Sequence, residues 1–180
     1  MFTISSPNLD AAIRRLEKFN DDKLRRAIRS AIERTLRGAK QDAGSKVKSR
    51  YTINASHVID TIRLKNSGLS GEMTSKGGRN KLSLFSLRPK TRPRRMPAGG
   101  VFVQNVKGQG GYIRQAFLQK NGEPYARVST SRYPIRRFTG PAAPQMLGNK
   151  IVAPYIVAHM RERLEINLMH ELNAVAGGFI

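Results

Sequence analysis

The chain has a net charge of +21, and carboxylates are the side chains that would let so basic a chain act as a nuclease or a phosphoryl-transfer enzyme. Such enzymes need carboxylates to hold a metal ion or to act as a general base. The chain has no cysteine, which excludes disulfides, thiolate metal sites and cysteine nucleophiles. Several acids lie in helical or turn contexts, where caps and solvated faces explain them: Asp10, Asp21, Asp22, Asp42 and Asp60. We therefore predict that the chain is not an enzyme and holds no metal or cofactor.

Two histidines and one glycine-rich stretch are the remaining candidates for chemistry. His159 and His170 are eleven residues apart, close to three helical turns, so they could share one face of a helix. A zinc site needs more than two ligands, and no third histidine or acid is spaced to join them. The stretch GQGG, residues 108–111, has no Lys-Ser or Lys-Thr after it and leads into a strand pattern. It predicts a hairpin connection and not a phosphate-binding loop.

The segment RPKTRPRRMP, residues 88–97, combines positive charge with proline. Its three prolines lack a backbone N–H and fix φ, which excludes a helix interior or a central strand and predicts a loop. We expect this flexible basic loop to occupy about residues 76–99. Such a loop is typical of a targeting signal, a nucleic-acid-binding arm or one wall of an assembly that conducts an anion. Its candidate DNA- or partner-facing cations are Arg88, Lys90, Arg92, Arg94 and Arg95.

Positive charge is concentrated in the middle of the chain. The 180 residues fit a single domain, 1–180, with a net charge of +21 and a pI near 11.3. Residues 73–161 hold seventeen lysines or arginines and one acid, Glu123. Because such a chain repels itself, we expect an anionic partner, either nucleic acid or an acidic protein surface. No window is apolar enough to span a membrane, so no membrane partner is predicted, and the start lacks a signal peptide's features.

Two helical patterns precede the cationic middle. Residues 7–20 are a short amphipathic segment, and a longer pattern begins at Asp21 or Asp22 and could continue toward Tyr51. The longer pattern has an apolar stripe with charged residues opposite, which is typical of a helix packed on a core. The stripe that we expect to face the last helix or the sheet is Leu24, Ile28, Ile32 and Leu36.

Strand patterns begin near residue 61 and are punctuated by glycines. The β-type runs are Thr61–Asn66, LSLFSL at 82–87, Val101 with Val103, Tyr112–Leu118 and Tyr125–Val128. Asn121-Gly122 is a strong hairpin signal, and a closing helix with Pro154 in its first turn is predicted over about 150–176. The order predicts an α+β fold with N-terminal helices, a central antiparallel basic β-sheet drawn from residues 61–138 with a long loop, and a closing C-terminal helix.

A more specific pattern runs through residues 111–147, GYIRQAFLQKNGEPYARVSTSRYPIRRFTGPAAPQML. It contains an Ala-Phe strand, then Gln-Lys-Asn-Gly, a second strand, Arg-Tyr-Pro-Ile and a proline-bearing apolar segment before the long helix. This order resembles the minor tail protein Z family of tailed bacteriophages and prophages, also described as tail completion proteins. The chain departs from simpler versions of the pattern by adding Arg136 and Arg137. With Arg132 they form a secondary basic edge that would meet protein or DNA.

The resemblance implies a structural virion protein at the head-proximal end of the tail, in the neck. It would help to join tail to head and accommodate DNA that passes into the tail. The implied assembly is a homo-oligomeric ring, with a hexamer favoured, that is built in the bacterial host cytoplasm and remains in the virion. The implied partners are other neck and tail proteins, such as the tail terminator, the tail tube and head-completion proteins, and packaged double-stranded DNA through non-specific contacts.

A free, sequence-independent nucleic-acid-binding protein with a basic β-sheet is the alternative function. Aromatic residues mixed with arginines could stack on bases, although aromatics that alternate along strands also build the core face of a sheet. The aromatics concerned are Tyr112, Phe117, Tyr125 and Tyr133. A free binder should bind DNA with a steep salt dependence, whereas a neck protein should co-purify with tails.

Overall fold

Two long helices flank a run of short strands, in the order that the sequence predicts. The computed structural model describes residues 22–95, 97 and 99–176. Its helices are α1 (Asp22–Arg50), α2 (Ala55–Ile59), α3 (Ala143–Leu147) and α4 (Val152–Ala176). Its strands are β1 (Ile62–Asn66), β2 (Gly71–Ser75), β3 (Arg79–Lys81), β4 (Ser86–Arg88), β5 (Val101–Val106), β6 (Gln109–Ile113), β7 (Phe117–Leu118), β8 (Pro124–Arg127), β9 (Ile135–Arg137) and β10 (Thr139–Ala142). The predicted α+β class is confirmed.

Helix α1 confirms the longer N-terminal pattern, including its continuation toward Tyr51. Asp22 stands in the first turn and Lys48 and Arg50 in the last, which places each charge at the end of the helix dipole that it stabilises. Ile28, Ile32 and Leu36 of the predicted stripe are buried, and Leu24 packs partly buried against them. The shorter pattern over residues 7–20 lies outside the described residues.

Helices α1 and α4 pack side by side and run in opposite directions. Residues further along α1 contact residues that come progressively earlier in α4. We define the helix seam as Ser30 with Glu171, Thr35 with Asn167, Asp42 with Arg163 and Lys46 with Tyr155. Apolar residues of α1 beside this seam form one core with Val152, Ile156 and Met160 of α4, which are almost fully buried.

The hairpin of β1 and β2 lies directly on α1. Its register pairs Leu64 with Met73, and the Met73 side chain is buried in the core. A Cβ on Gly71 would stand 2.6 Å from the Ile32 methyl carbon Cγ2, so only glycine lets the start of β2 approach the helix this closely.

The β region is divided into four small antiparallel sheets, and in this it differs from the single sheet that the sequence predicts. Their orders are β1-β2, β3-β10, β4-β5-β6 and β7-β8-β9. Strands of two to six residues separated by glycines and prolines are too short to extend one ladder across the region. The LSLFSL run is also different from its prediction, because Leu82–Leu84 form a 3-10 turn and only the end of the run belongs to β4. The predicted run Tyr112–Leu118 is also divided, because β6 ends at Ile113, a turn follows at Arg114 and Gln115, and only Phe117 and Leu118 belong to β7.

The predictions for the Asn-Gly connection, the GQGG stretch and the closing helix agree with the structure. The Asn-Gly signal forms the connection between β7 and β8, where Gly122 has a φ of +73°. GQGG leads from the β5–β6 turn into β6 and not into a helix. Helix α4 begins at Val152, so Pro154 stands in its first turn. A backbone N–H at this position would have no acceptor within the helix, so the lack of one in proline breaks no helical hydrogen bond.

Candidate functional site

The basic loop is shorter than the sequence predicts. Residues 79–88 of the predicted span form β3, the 3-10 turn and β4, and Arg88 itself pairs with Phe102 of β5. The loop proper therefore follows Arg88. It passes next to the β7–β8 connection, because a Cβ on Gly122 would stand 3.5 Å from the Lys90 carbonyl oxygen. A hydrogen bond from the Gly100 N–H to the Pro97 carbonyl, 2.8 Å long, closes its far end.

A cleft of about 990 Å³ lies between this loop and the sheet of β7, β8 and β9. The register pairs Arg127 with Ile135, and strand alternation places both on the same face of the sheet as Phe117. Leu118 and Ala126 point the other way and are buried, so the cleft lies on the outward face of the sheet. The three outward-facing residues, Phe117, Arg127 and Ile135, line the cleft.

Four arginines line the cleft, and they come from three parts of the chain. Arg92 and Arg94 belong to the basic loop, Arg127 to β8 and Arg132 to the connection between β8 and β9. Among the described residues, none of the four forms an ion pair. We call this group the arginine cleft. The structure thus brings together parts of both predicted basic sets, which are separated by about forty residues in the sequence.

The other predicted cations lie elsewhere. Arg88, Lys90 and Arg95 are exposed but are not part of the cleft lining. In the predicted edge, the Arg136 guanidinium lies 5.2 Å from the centre of the Phe138 ring, and Arg137 is bound by Glu123. The edge is therefore split, with only Arg132 available to the cleft.

Glu123, the single acid of the cationic middle, is nearly fully buried at 3% exposure. Its Oε2 accepts a hydrogen bond from Arg137 Nη2 at 3.2 Å, and its Oε1 accepts one from the Ser83 hydroxyl at 2.5 Å. Asn121 accepts the Glu123 backbone N–H at 3.0 Å. These contacts tie the 3-10 turn, the β7–β8 connection and β9 together and orient the sheet that carries the cleft.

That Arg127 and Phe117 contribute to one cleft did not follow from the sequence. Both had been visible as part of an alternation of aromatic and basic residues, but their common face follows only from the pairing register. A lone acid among seventeen bases was the signal for Glu123, because an isolated carboxylate in such surroundings is expected to pair with a neighbouring cation when it is buried.

The described part of the chain contains neither a cluster of metal-binding side chains nor a membrane-spanning helix. No three histidine, cysteine or acidic side chains within it are close enough to bind a metal ion together. His159 stacks on Tyr155 with ring centres 4.1 Å apart, and His170 lies 4.0 Å from Glu171, so the two histidines have local contacts of their own. Within the same residues, no helix has the length and apolar character needed to cross a membrane.

Comparison with known proteins identifies the family. A family model described as prophage minor tail protein Z (GPZ) matches residues 8–175, nearly the whole chain. No curated protein and no solved structure matches the chain. The match extends over both long helices, all strands and the arginine cleft.

Proposed function

The chain belongs to the prophage minor tail protein Z family and is therefore a structural protein of the phage tail and virion, and we propose that it acts at the head-proximal end. There it completes the tail, helps to join it to the head and accommodates DNA that enters the tail tube. Its partners are neighbouring neck and tail proteins, among them the tail terminator, the tail tube and head-completion proteins.

The excess of positive charge in the middle of the chain, seventeen lysines or arginines against one acid, is the observation that supports this position best. Most of the tail tube needs only to enclose DNA, but the entry must admit a polyanion without holding it at one sequence. Scattered arginines and lysines attract phosphates and read no base edges, so DNA can slide past them. The exposed cations Arg88, at the end of β4, and Lys90 and Arg95, in the loop, suit such transient contacts.

A closed ring would multiply these weak contacts. Proteins that surround a tube repeat around its axis, and we propose a homo-oligomeric ring, with six copies favoured. Each exposed contact is screened within about 8 Å at physiological salt, so a single loop would have little effect, whereas a collar of loops would act on DNA at the axis. Native mass spectrometry of the ring, separated from the other neck proteins, should give six times the 20.1 kDa of one chain.

A head–tail joining assay tests the proposal. Tails assembled without the chain should fail to join filled heads, and addition of the wild-type chain should restore infectious particles. In the loop variant, five residues are replaced by Gln: Arg88, Lys90, Arg92, Arg94 and Arg95. We expect it to fold normally and to reduce joining or DNA positioning, because loop surface carries little packing energy.

A matched control removes the same charge from exposed positions of α1 and β1. It replaces Arg25, Arg29, Lys48, Arg63 and Lys65 by Gln and should join heads and tails at the wild-type level. Normal joining by the loop variant would contradict the role of the loop. If the wild-type chain neither restores joining nor co-purifies with tails, but binds DNA as a monomer with a steep salt dependence, it is a free nucleic-acid-binding protein.

We also propose that the chain has no catalytic activity. Incubation of the purified chain with DNA and magnesium or manganese should leave the DNA intact. Cleavage that disappears on substitution of one carboxylate would contradict this, since a nuclease needs such a group for metal binding or as a base.

A further inference from the structure

The arginine cleft combines positive charge with apolar surface. Its outward sheet face contributes Phe117 and Ile135, both half-buried, and its rim contributes Val128 and Tyr133, which are 63% and 66% exposed. Large apolar side chains this exposed next to unpaired arginines are typical of a binding surface whose ligand supplies both acids and apolar groups.

Duplex DNA does not suit this combination. Its phosphates lie on a broad convex rod, so it would touch the rim arginines and leave Phe117 and Ile135 on the cleft floor without a partner. A single strand would enter more easily, but successive bases need a series of aromatic platforms. Tyr133 is the only strongly exposed aromatic ring among the described residues of the lining.

A second copy of the chain is not a suitable ligand for the arginine cleft either. The chain has 12 acids against 33 lysines and arginines, and two acids are adjacent only at Asp21 and Asp22. Copies would therefore bring more positive charge to the cleft, and the occupant must come from another protein.

We propose that the arginine cleft binds an extended acidic segment of a partner protein, in which carboxylates alternate with apolar side chains. In an extended segment successive side chains point to opposite sides, so a segment between the loop and the sheet can place carboxylates against Arg92 and Arg94 on one side while apolar groups on the other contact Phe117 and Ile135. Arginine is suited to this because its guanidinium can bind both oxygens of a carboxylate at once. In a tail, the segment would belong to a neighbouring tail protein, an assignment that rests on the proposed function, but the recognition itself does not.

Peptide binding by the full chain tests this inference. The probe is a fluorescently labelled ten-residue peptide of alternating Glu and Leu, and its anisotropy is measured at physiological salt. Two comparison peptides separate the contributions: in one, Gln replaces Glu, and in the other, Glu replaces Leu. We expect the alternating peptide to bind roughly tenfold or more tightly than either, because only it supplies carboxylates and apolar groups together.

Two pairs of substitutions locate the binding. Arg92→Gln with Arg94→Gln should weaken the alternating peptide by roughly tenfold or more, and Arg25→Gln with Arg29→Gln, which removes the same charge from α1, should change it less than about twofold. If the first pair disturbs the loop, Arg132→Gln in the β8–β9 connection gives a second test at the cleft. Thermal unfolding of each variant shows that the fold is intact.

Three results would overturn the inference. The all-Glu peptide could bind as tightly as the alternating one, which would leave only charge attraction. The α1 control could weaken binding as much as the cleft variants, which would place the peptide elsewhere. A 20-nucleotide single strand could bind more tightly than the peptide and lose its affinity on Tyr133→Ala, which would make the cleft a nucleic-acid site. None of these depends on where the chain lies in the virion, so a failed joining assay and a failed peptide assay remain distinguishable.

Discussion

At the helix seam, charged side chains meet a partner, whereas the four arginines of the cleft have no ion pair among the described residues. Glu171 is buried and bound by Ser30 and Arg34, and Arg163 holds both oxygens of Asp42 at 2.7 and 3.1 Å. The seam uses charge to fix how two helices fit together. The arginine cleft keeps positive charge together in spite of its self-repulsion, which is expected of a surface that receives a ligand.

The largest effect should come from the core beside the helix seam. Ile156 of α4 is 0% exposed, so Ile156→Ala should lower the free energy of unfolding by about 2–5 kcal/mol through lost burial and the cavity left behind. Ile166→Ala on the same helix is the control, because Ile166 is 62% exposed and should cost less than about 0.5 kcal/mol. Urea unfolding followed by circular dichroism measures both. Equal losses would mean that α4 does not pack on α1 through this face.

The next largest effect on stability should come from Glu123, the single acid of the cationic middle. Glu123→Gln keeps the shape of the side chain but removes the charge that binds Arg137, and should cost about 1–2 kcal/mol. The value is moderate because the Arg137 side chain is 37% exposed and keeps part of its hydration. Glu33→Gln, which removes an exposed partner of Arg37, should cost about 0.5 kcal/mol or less. If both substitutions have the same small cost, Glu123 does not anchor the sheet.

A smaller effect is expected for the ion pair at the seam. A double-mutant cycle of Asp42→Asn and Arg163→Gln should give a coupling free energy of about 0.2–1 kcal/mol, since Arg163 is 46% exposed. The coupling should shrink in 1 M salt, where screening acts over about 3 Å. A coupling that is large and independent of salt would show that the pair is shielded from water in solution.

The smallest effect on stability should come from the arginine cleft. Replacement of Arg92, Arg94, Arg127 and Arg132 by Gln together should change the free energy of unfolding by less than about 0.5 kcal/mol. The change could even be favourable, because it removes like charges from one surface. Thermal unfolding measures it. A loss comparable with that of Ile156→Ala would place these arginines in the folded core and would contradict their role as a binding surface.

The two regions also differ in how far the sequence predicts them. The helices follow from local periodicity, so α1 and α4 have the bounds that their apolar stripes and Pro154 indicate. The strands are short, and their partners depend on distant parts of the chain. The LSLFSL run alternates like a strand, yet its first half is a 3-10 turn whose Ser83 hydroxyl binds Glu123, forty residues away in the sequence.

The cleft was predictable only in part for the same reason. The loop cations could be recognised because charge and proline coincide in ten residues. That Arg92 and Arg94 meet Arg127 could not, because it requires the loop to lie against the β7–β8 connection and the register to place Arg127 opposite Ile135. Both are tertiary properties that no local pattern encodes.

The position of the chain within phage particles tests the central proposal most directly. A small epitope tag after residue 180, labelled with antibody-coated gold in intact particles and in isolated tails, can be located by electron microscopy. We predict label at the head-proximal end of isolated tails and at the junction between head and tail in complete particles. Label along the tube or at the distal tip, or a particle population that contains no tagged chain, would contradict a role in completing the tail and joining it to the head.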